Sequence, residues 1–577
     1  MLKDCLEIFK KQYDMRGEGY ILDDYVLVAG TYIFIAKDGS LKMMLEINKK
    51  NKEIDRTDLR YKKFCELDYL SKLIDMNKAI DNKKVIHSNN YLSFYIKKDN
   101  LSSGKLTSEV IENYYKFLAN PMIKYGGNKN AKKIYETLEE QYGKPDLELL
   151  NKNKNWINQH IHTILEEYLI TSDKNYLKIF FEADMELYKQ ESNRYIIPNI
   201  YNSTDYNVEL NGLIYGMAND NNGLNSKKPY LRQRTRKNET PYLISLEEAL
   251  LQKKFFDFLM NKVSQGKSNI YLGDDIYCLG TEDTIKGSFS GYFLHIEKGK
   301  EVEIKDFDTI ACFNNELQGC YIPKSITIDY SKTDYKSEID EEVIDQLKDL
   351  KTLINKVLFN RWLENNYFCE VAKIKLNDTI LKQNILLSRE MFFAWFYKGN
   401  ETLIKPLFPK ISIDIIKNTI CNGYRIKAQE QWMVRQGVMN YLNRGGVEVP
   451  DVMKEVLEQL DRKINEEGQA IIESDREYAI ATGQLVNYFF SLSKASSPKH
   501  SMLNPIINIK SDIKLKDTLK KLYVKYNYEI SNKGKRFRKL YAMIEGYQPE
   551  GTINQDELIY GYLTNSLIYK KGDKKNE

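Results

Sequence analysis

The stretch TYIFIAKDGSLKMMLEI, Thr31–Ile47, decides how the front of the chain is read. Two apolar runs, Thr31–Lys37 and Ser40–Ile47, flank Asp38-Gly39. Asp-Gly between such runs predicts a two-residue β-hairpin, because both turn positions favour positive φ. Working outward, Phe64–Met76 has helical spacing. Val85-Ile86 and Tyr91–Ile96 read as strands on either side of His87-Ser88-Asn89-Asn90. Ser108–Lys189 reads as mostly helical and Tyr195–Met217 as strand-like. Ile270–Ile310 breaks into short strands at Gly273, Gly280, Gly287 and Gly291.

Past Glu338 the period changes. Glu341–Trp362, Arg389–Tyr397, Lys427–Asn443, Val452–Ile464, Ile471–Leu492, Ile513–Tyr528, Arg536–Ile544 and Gln555–Leu567 are amphipathic at helical spacing, with glycine and proline between them. The expected fold class is therefore α+β: a mixed α/β N-terminal domain over 1–335, then an all-α helical region over 336–577. The acidic stretch Asp334–Asp349 marks the expected junction.

With 577 residues, two to four domains are expected. Apolar residues at 42% and charged residues at 29% exclude a disordered chain. No run of eighteen apolar residues exists, so no membrane span is expected. Met1-Leu2-Lys3-Asp4-Cys5 leads into no apolar segment, so no signal peptide is expected; a cytoplasmic location is expected from the cysteines. Seven scattered cysteines without a Cys-x-x-Cys fit reduced thiols and give no zinc spacing. The net charge, 86 − 81 = +5, does not by itself announce nucleic-acid binding. Only 16 of the 86 cations are arginines, so lysine is background and clustered arginine is signal.

Catalytic motifs are sparse. The chain has no P-loop, Gly-x-Ser-x-Gly or His-Glu-x-x-His, and five histidines in all. His160 and His162 stand two apart in a helical context, where they diverge. Gly273-Asp274-Asp275 lies between two apolar runs. Adjacent acids at a hairpin tip hold Mg²⁺ in palm-type nucleotidyltransferases and cyclases, which makes Asp274 and Asp275 the alternative, enzymatic reading. The other reading is a tight turn with solvated acids. Glu303-Ile304-Lys305 is a weaker echo of a nuclease half-site.

The basic clusters say more. Asn225–Asn238 holds six cations and no acid: Lys227, Lys228, Arg232, Arg234, Arg236 and Lys237. In an extended chain the three arginines point one way, about 6.6 Å apart, which suits a row of backbone phosphates. A polar loop, Met217–Gly223, precedes it. Ser491–Leu540 holds thirteen cations against three acids, 13 − 3 = +10, and is densest at Lys533–Lys539. There Phe537 and Leu540 offer an apolar side for docking, which Arg536, Arg538 and Lys539 cannot all share. A third polar group comprises Asn77-Lys78, Lys83-Lys84 and His87–Asn90.

The stretches SKLIDMNKAIDNKKVIHSNNYLSFYIKK (Ser71–Lys98) and GLNSKKPYLRQRTRK (Gly223–Lys237) carry a resemblance. So do GQLVNYFFSLSKAS, KRFRKLYAMIEGYQPE and ELIYGYLTNSLIY in the tail. In their order and spacing these resemble the large subunit of type I-B CRISPR Cascade complexes. The resemblance implies a non-catalytic subunit, and no cofactor is expected. Some members of that family carry cysteine pairs suggestive of zinc; this chain has none, so no structural metal is expected. Its N-terminal domain is expected near the 5′ handle of the CRISPR RNA, reading the protospacer-adjacent motif on double-stranded target DNA and helping to open an R-loop. The helical end, 450–577, is expected to resemble the complex's small subunit. A separate small subunit is expected from an internal start, with Met433, Met439 and Met453 as candidates. Backbone subunits, a handle-capping subunit and a recruited helicase–nuclease complete the expected partners. Lys227, Lys228, Arg232, Arg234, Arg236 and Lys237 are assigned to nucleic-acid backbone contact. Asn77, Lys78, Asn89, Asn90, Asn221, Asn222 and Asn225 are assigned to motif inspection or handle contact, and Arg536, Arg538 and Lys539 to guiding DNA.

Overall fold

The computed structural model describes residues 2–48, 55–127, 129–171, 173–201, 207–218, 243–444, 452–493, 503–530 and 534–569. The fold is α+β, with strands concentrated before residue 347 and helices after it. The chain forms two compact units: 1–278 with 294–307, and 279–293 with 308–577.

The first unit is built on a sheet of β1 (Gly30–Ile35), β2 (Leu41–Ile47), β3 (Ser93–Lys97) and β4 (Tyr176–Phe181), in the order β2-β1-β4-β3. β1 and β4 run parallel; the other pairs are antiparallel. β1 is buried along its whole length and β4 along all but its first residue, as central strands covered on both faces are. Phe64 and Leu67, from the helix Leu59–Ser71, and Tyr114, from Ser108–Ala119, join this core. The expected hairpin is β1–β2, but its connection is one residue longer than expected. Gly39 N donates to Ala36 O and Ala36 N to Ser40 O, both at 2.9 Å, and only Gly39 takes positive φ. This is the type I turn with a glycine bulge. Asp38 accepts from Ser40 N, and Trp156 Nε1 donates to Gly39 O at 2.8 Å, which fixes the longer loop.

Two further expectations change. β4 interrupts the stretch read as helical to Lys189. The helix Met185–Asn199 runs into the stretch read as strand, which among the described residues holds the hairpin β5 (Val208–Leu210) and β6 (Leu213–Tyr215). A second sheet, in the order β10-β9-β7-β8, contains β7 (Asn269–Leu272), β8 (Ile276–Leu279), β9 (Ser288–Lys298) and β10 (Val302–Asn314). The two long strands β9 and β10 each contribute residues to both units.

The second unit contains the pair β11 (Glu316–Tyr321) and β12 (Val343–Gln346), followed by helices. The acidic junction belongs to it. The Glu430 carboxylate, fully buried, accepts from Tyr330 Oη, Tyr335 Oη, Ser337 Oγ and Glu338 N at 2.7–3.1 Å. Lys351 Nζ likewise donates to Thr281 O at 2.6 Å. Side-chain anchors of this kind draw 279–293 and 308–335 to the helices, so the division falls earlier than 335/336.

His295 gives the first unit a pH dependence. Its Nδ1 lies 2.7 Å from Asn269 Oδ1, and burial, opposed by Asp306, pushes the imidazole down to about 4. The unfolded chain takes up a proton near pH 6.5 while the native one stays neutral. Stability is therefore full above that pH and falls as pH drops toward about 4. At pH 5 the loss is about 2 kcal/mol. Urea unfolding of His295→Asn at pH 7 and pH 5 should show a smaller difference between the two; an equal difference removes the assignment.

Candidate nucleic-acid interface

Two helices of the second unit carry the densest charge. Asp512–Tyr526 buries Leu515, Leu519, Leu522 and Tyr526, an i, i+4, i+7, i+11 stripe. Lys514, Lys520, Lys521 and Lys525 are left exposed. Lys535–Gly546 buries Phe537, Leu540, Met543 and Ile544, and exposes Lys535 and Arg538. Docking through Phe537 and Leu540 is as the spacing suggested. The three cations named from the sequence separate in role. Arg536 Nη1 donates to Leu567 O at 2.9 Å and Lys539 Nζ to Glu466 O at 2.6 Å, which ties both to neighbouring segments. Arg538 is exposed.

Exposed tyrosines occur on and beside these helices. Tyr523 is 40%, Tyr528 67% and Tyr569 57% exposed. Tyr523 lies parallel to Phe537, 6.1 Å away at 5°, and 5.4 Å from Tyr541. Tyr569 lies 5.3 Å from Tyr488, which is 5.0 Å from Phe537. Tyr569 Oη also meets Ser491 Oγ at 2.9 Å. Burial, then the Glu545 carboxylate, pushes the Tyr541 phenol up to about 12, so it stays neutral. Acids offset part of the charge: Asp517 pairs with Lys521 at 2.7 Å and Glu545 with Lys520 at 3.7 Å. Exposed cations beside half-exposed rings suit a nucleic-acid strand, whose phosphates meet the cations while bases stack on the rings. The tyrosines were missed in the sequence. The signal was KKLYVKYNYE, Lys520–Glu529, where tyrosine alternates with lysine.

In the first unit the polar group at 77–90 divides. Asn89 and Asn90 are buried, and their side chains serve the chain itself. Asn89 Nδ2 donates to Leu70 O and Lys72 O, satisfying carbonyls at the end of the helix Leu59–Ser71. Asn90 Nδ2 donates to Ser71 Oγ and Asn89 Oδ1, and its Oδ1 accepts from Leu92 N. The contact role given to these two is corrected to a structural one. Asn77 is exposed and accepts from Lys84 Nζ at 3.2 Å. Lys78 is half-buried, donates to Tyr201 O at 3.0 Å, and is pushed down by burial against the pull of Asp75. Lys124 donates to Lys78 O and Ala79 O, and burial, with Lys78 adding, pushes its ammonium down to about 8. An exposed corner of Asn77, Lys83 and Lys84 remains. Asn221, Asn222, Asn225, Lys227, Lys228, Arg232, Arg234, Arg236 and Lys237 lie outside the described residues.

Gly273-Asp274-Asp275 forms the turn from β7 to β8, with Gly273 N donating to Asp275 O at 3.0 Å. Asp275 Oδ1 accepts from Ile276 N and lies 3.8 Å from Arg16. Lys305 pairs with Glu303 at 2.6 Å and Glu297 at 3.6 Å. Among the described residues, no three His, Cys, Asp or Glu side chains gather as a metal site. His160 stacks on Trp156, 4.5 Å between ring centres, and bonds Glu167. No helix among the described residues is long and apolar enough to cross a membrane. No protein-family model, no curated protein and no solved structure matches the chain.

Proposed function

We propose that this chain is the non-catalytic large subunit of a CRISPR RNA-guided DNA surveillance complex of the type I-B Cascade kind, acting in the cytoplasm. In this reading it inspects the protospacer-adjacent motif on double-stranded DNA, assists R-loop formation and takes part in recruiting a helicase–nuclease. Its partners are the CRISPR RNA, the backbone and handle-capping subunits and a small subunit. The observation that carries the reading is the helix pair of the second unit where Lys520 and Tyr523, three residues apart, share one exposed face, and where Tyr523 packs against Phe537 and Tyr541 of the helix that exposes Arg538. Such a surface holds a phosphodiester chain without reading its sequence. The order of the quoted sequence segments supports the more specific assignment.

The test is co-expression of the tagged chain with a CRISPR array and the backbone-subunit genes. A discrete CRISPR RNA should co-purify, and the complex should retard duplex DNA that carries the matching protospacer. Lys520→Gln/Lys521→Gln/Lys535→Gln/Arg538→Gln should leave the RNA in place and weaken DNA binding about tenfold or more at low salt. It should also lower the salt slope by about one for each phosphate that the variant no longer neutralises. A chain that purifies without RNA overturns the assignment. An unchanged salt slope overturns the interface.

A further inference from the structure

In the first unit one buried carboxylate serves two ammonium groups. Asp257 stands one turn after Lys253 on the helix Leu246–Ser264. Its Oδ2 lies 2.5 Å from Lys253 Nζ and its Oδ1 2.9 Å from Lys72 Nζ, while Tyr69 Oη donates to Oδ2 at 3.1 Å. Both ammonium groups also lie over the Tyr69 ring, Lys72 at 4.8 Å and Lys253 at 5.4 Å from its centre. Burial by itself raises the Asp257 carboxyl, yet Lys253 and then Lys72 hold it well below the usual carboxylate range, so it stays ionised. One negative charge thus faces two positive ones.

These groups line a cavity of about 210 Å³, several times the roughly 30 Å³ that a water molecule takes. Lys300 and Glu301, from the turn between β9 and β10, complete its charged wall. The cations Lys72, Lys253 and Lys300 against the acids Asp257 and Glu301 leave an excess of one positive charge, 3 − 2 = +1. The excess is felt at Lys72: burial pushes its ammonium down, Asp257 opposes this, and Lys253 adds to it. Its side chain is 32% exposed, so a solute reaches it. A second cavity, of about 320 Å³, shares Tyr69, Ile196 and Lys253 with the first, and its wall includes Leu70, Met185 and Leu250.

We infer that the smaller cavity is an oxyanion site, in which Lys72, Lys253 and Lys300 hold a phosphoryl group. Ammonium groups donate charge-assisted hydrogen bonds to phosphate oxygens, and a cleft with an excess of one sign concentrates anions of the other. The group comes either from inorganic phosphate or from a small phosphate ester, whose apolar remainder would meet Leu70, Met185 and Leu250 in the neighbouring cavity. The site is independent of the nucleic-acid surface, which belongs to the second unit.

The experiment is calorimetric titration of the full chain at pH 7 and constant ionic strength, with sodium phosphate in one arm and AMP in the other. Saturable binding with a Kd of about 1 mM or tighter is expected in at least one arm. Tighter binding of AMP assigns a phosphate ester; equal or weaker binding assigns the free anion. Lys72→Met and Lys253→Met should each weaken binding about tenfold or more while circular dichroism stays that of the wild type, because Asp257 keeps one ammonium in either variant. Lys300→Glu should weaken it as much, and Lys300 is exposed on a turn, so the core is untouched. Lys520→Gln/Lys521→Gln/Lys535→Gln/Arg538→Gln should bind as the wild type does, which separates this site from the surface of the second unit. Absence of saturation in both arms below about 10 mM overturns the proposal. So does binding that survives Lys72→Met and Lys300→Glu, or binding lost in the second-unit variant.

Discussion

Lys178→Ala is expected to destabilise the first unit by about 3–5 kcal/mol, the usual consequence of leaving one member of a buried ion pair alone. Lys178 sits on β4, in register with Tyr32 of β1 and Tyr95 of β3. Its Nζ lies 5.2 and 4.7 Å from those two rings and 2.5 Å from Asp68 Oδ1. Lys178 is 6% and Asp68 2% exposed. Asp68 also accepts from Tyr25 Oη at 3.0 Å, and removing the ammonium leaves its carboxylate in the core without a cation. The paired change Asp68→Asn/Lys178→Met removes both charges and keeps an acceptor for Tyr25. It should recover most of the loss, because replacing a buried pair by neutral groups is often close to neutral. Urea unfolding at pH 7 measures both. If Lys178→Ala falls within about 1 kcal/mol of wild type, the ion pair does not hold the sheet to the helix Leu59–Ser71.

That central strand was also the part of the fold least visible in the sequence, and for a definite reason. The β1–β2 hairpin announces itself because its two strands adjoin and a glycine turn separates them. β4 pairs in parallel with β1 from more than a hundred residues away, and YLKIFF after a run of helices fits helical spacing as well as extended spacing. The helix Ile404–Cys421 went unread because Pro406 and Pro409 lie in it. One turn past Phe408, beside Pro409, Ser412 Oγ donates to Phe408 O at 2.6 Å. At the site, exposed arginine and lysine were legible as charge, whereas polarity alone misled for Asn89 and Asn90. An asparagine that serves main-chain carbonyls in a core has the same letters around it as one that reads a base. The tyrosines of the second unit needed the fold, because burial decides which ring reaches solvent: Tyr526 is buried while Tyr523 and Tyr528 are not.

Gly483→Ala is expected to destabilise the second unit by about 3 kcal/mol or more, at the upper end for overpacking. The helices Asp475–Ser491 and Gln555–Leu563 meet backbone to backbone at this glycine and Gly561. A Cβ on Gly483 would stand 2.1 Å from Leu558 O, and one on Gly561 2.2 Å from Ile480 O. These are main-chain atoms, so no rotamer change relieves the clash. The alanine's better helix propensity returns only about 1 kcal/mol. Separating the helices would also break the bonds around the crossing. Gln484 Nε2 donates to Gly561 O at 2.7 Å, and its Oε1 accepts from Leu567 N at 2.8 Å. Arg425 Nη2 donates to Thr564 O at 3.0 Å. At about 2–4 °C per kcal/mol, the unit's Tm should fall by about 6–12 °C. Gly546→Ala is the matched control, since nothing lies within 4 Å of a Cβ there, and it should melt with the wild type. DNA binding should fall with the Gly483→Ala transition, because Tyr488 lies on one crossing helix and Tyr569 on the segment leaving the other. If Gly483→Ala and Gly546→Ala melt together, the close crossing is not what positions those rings.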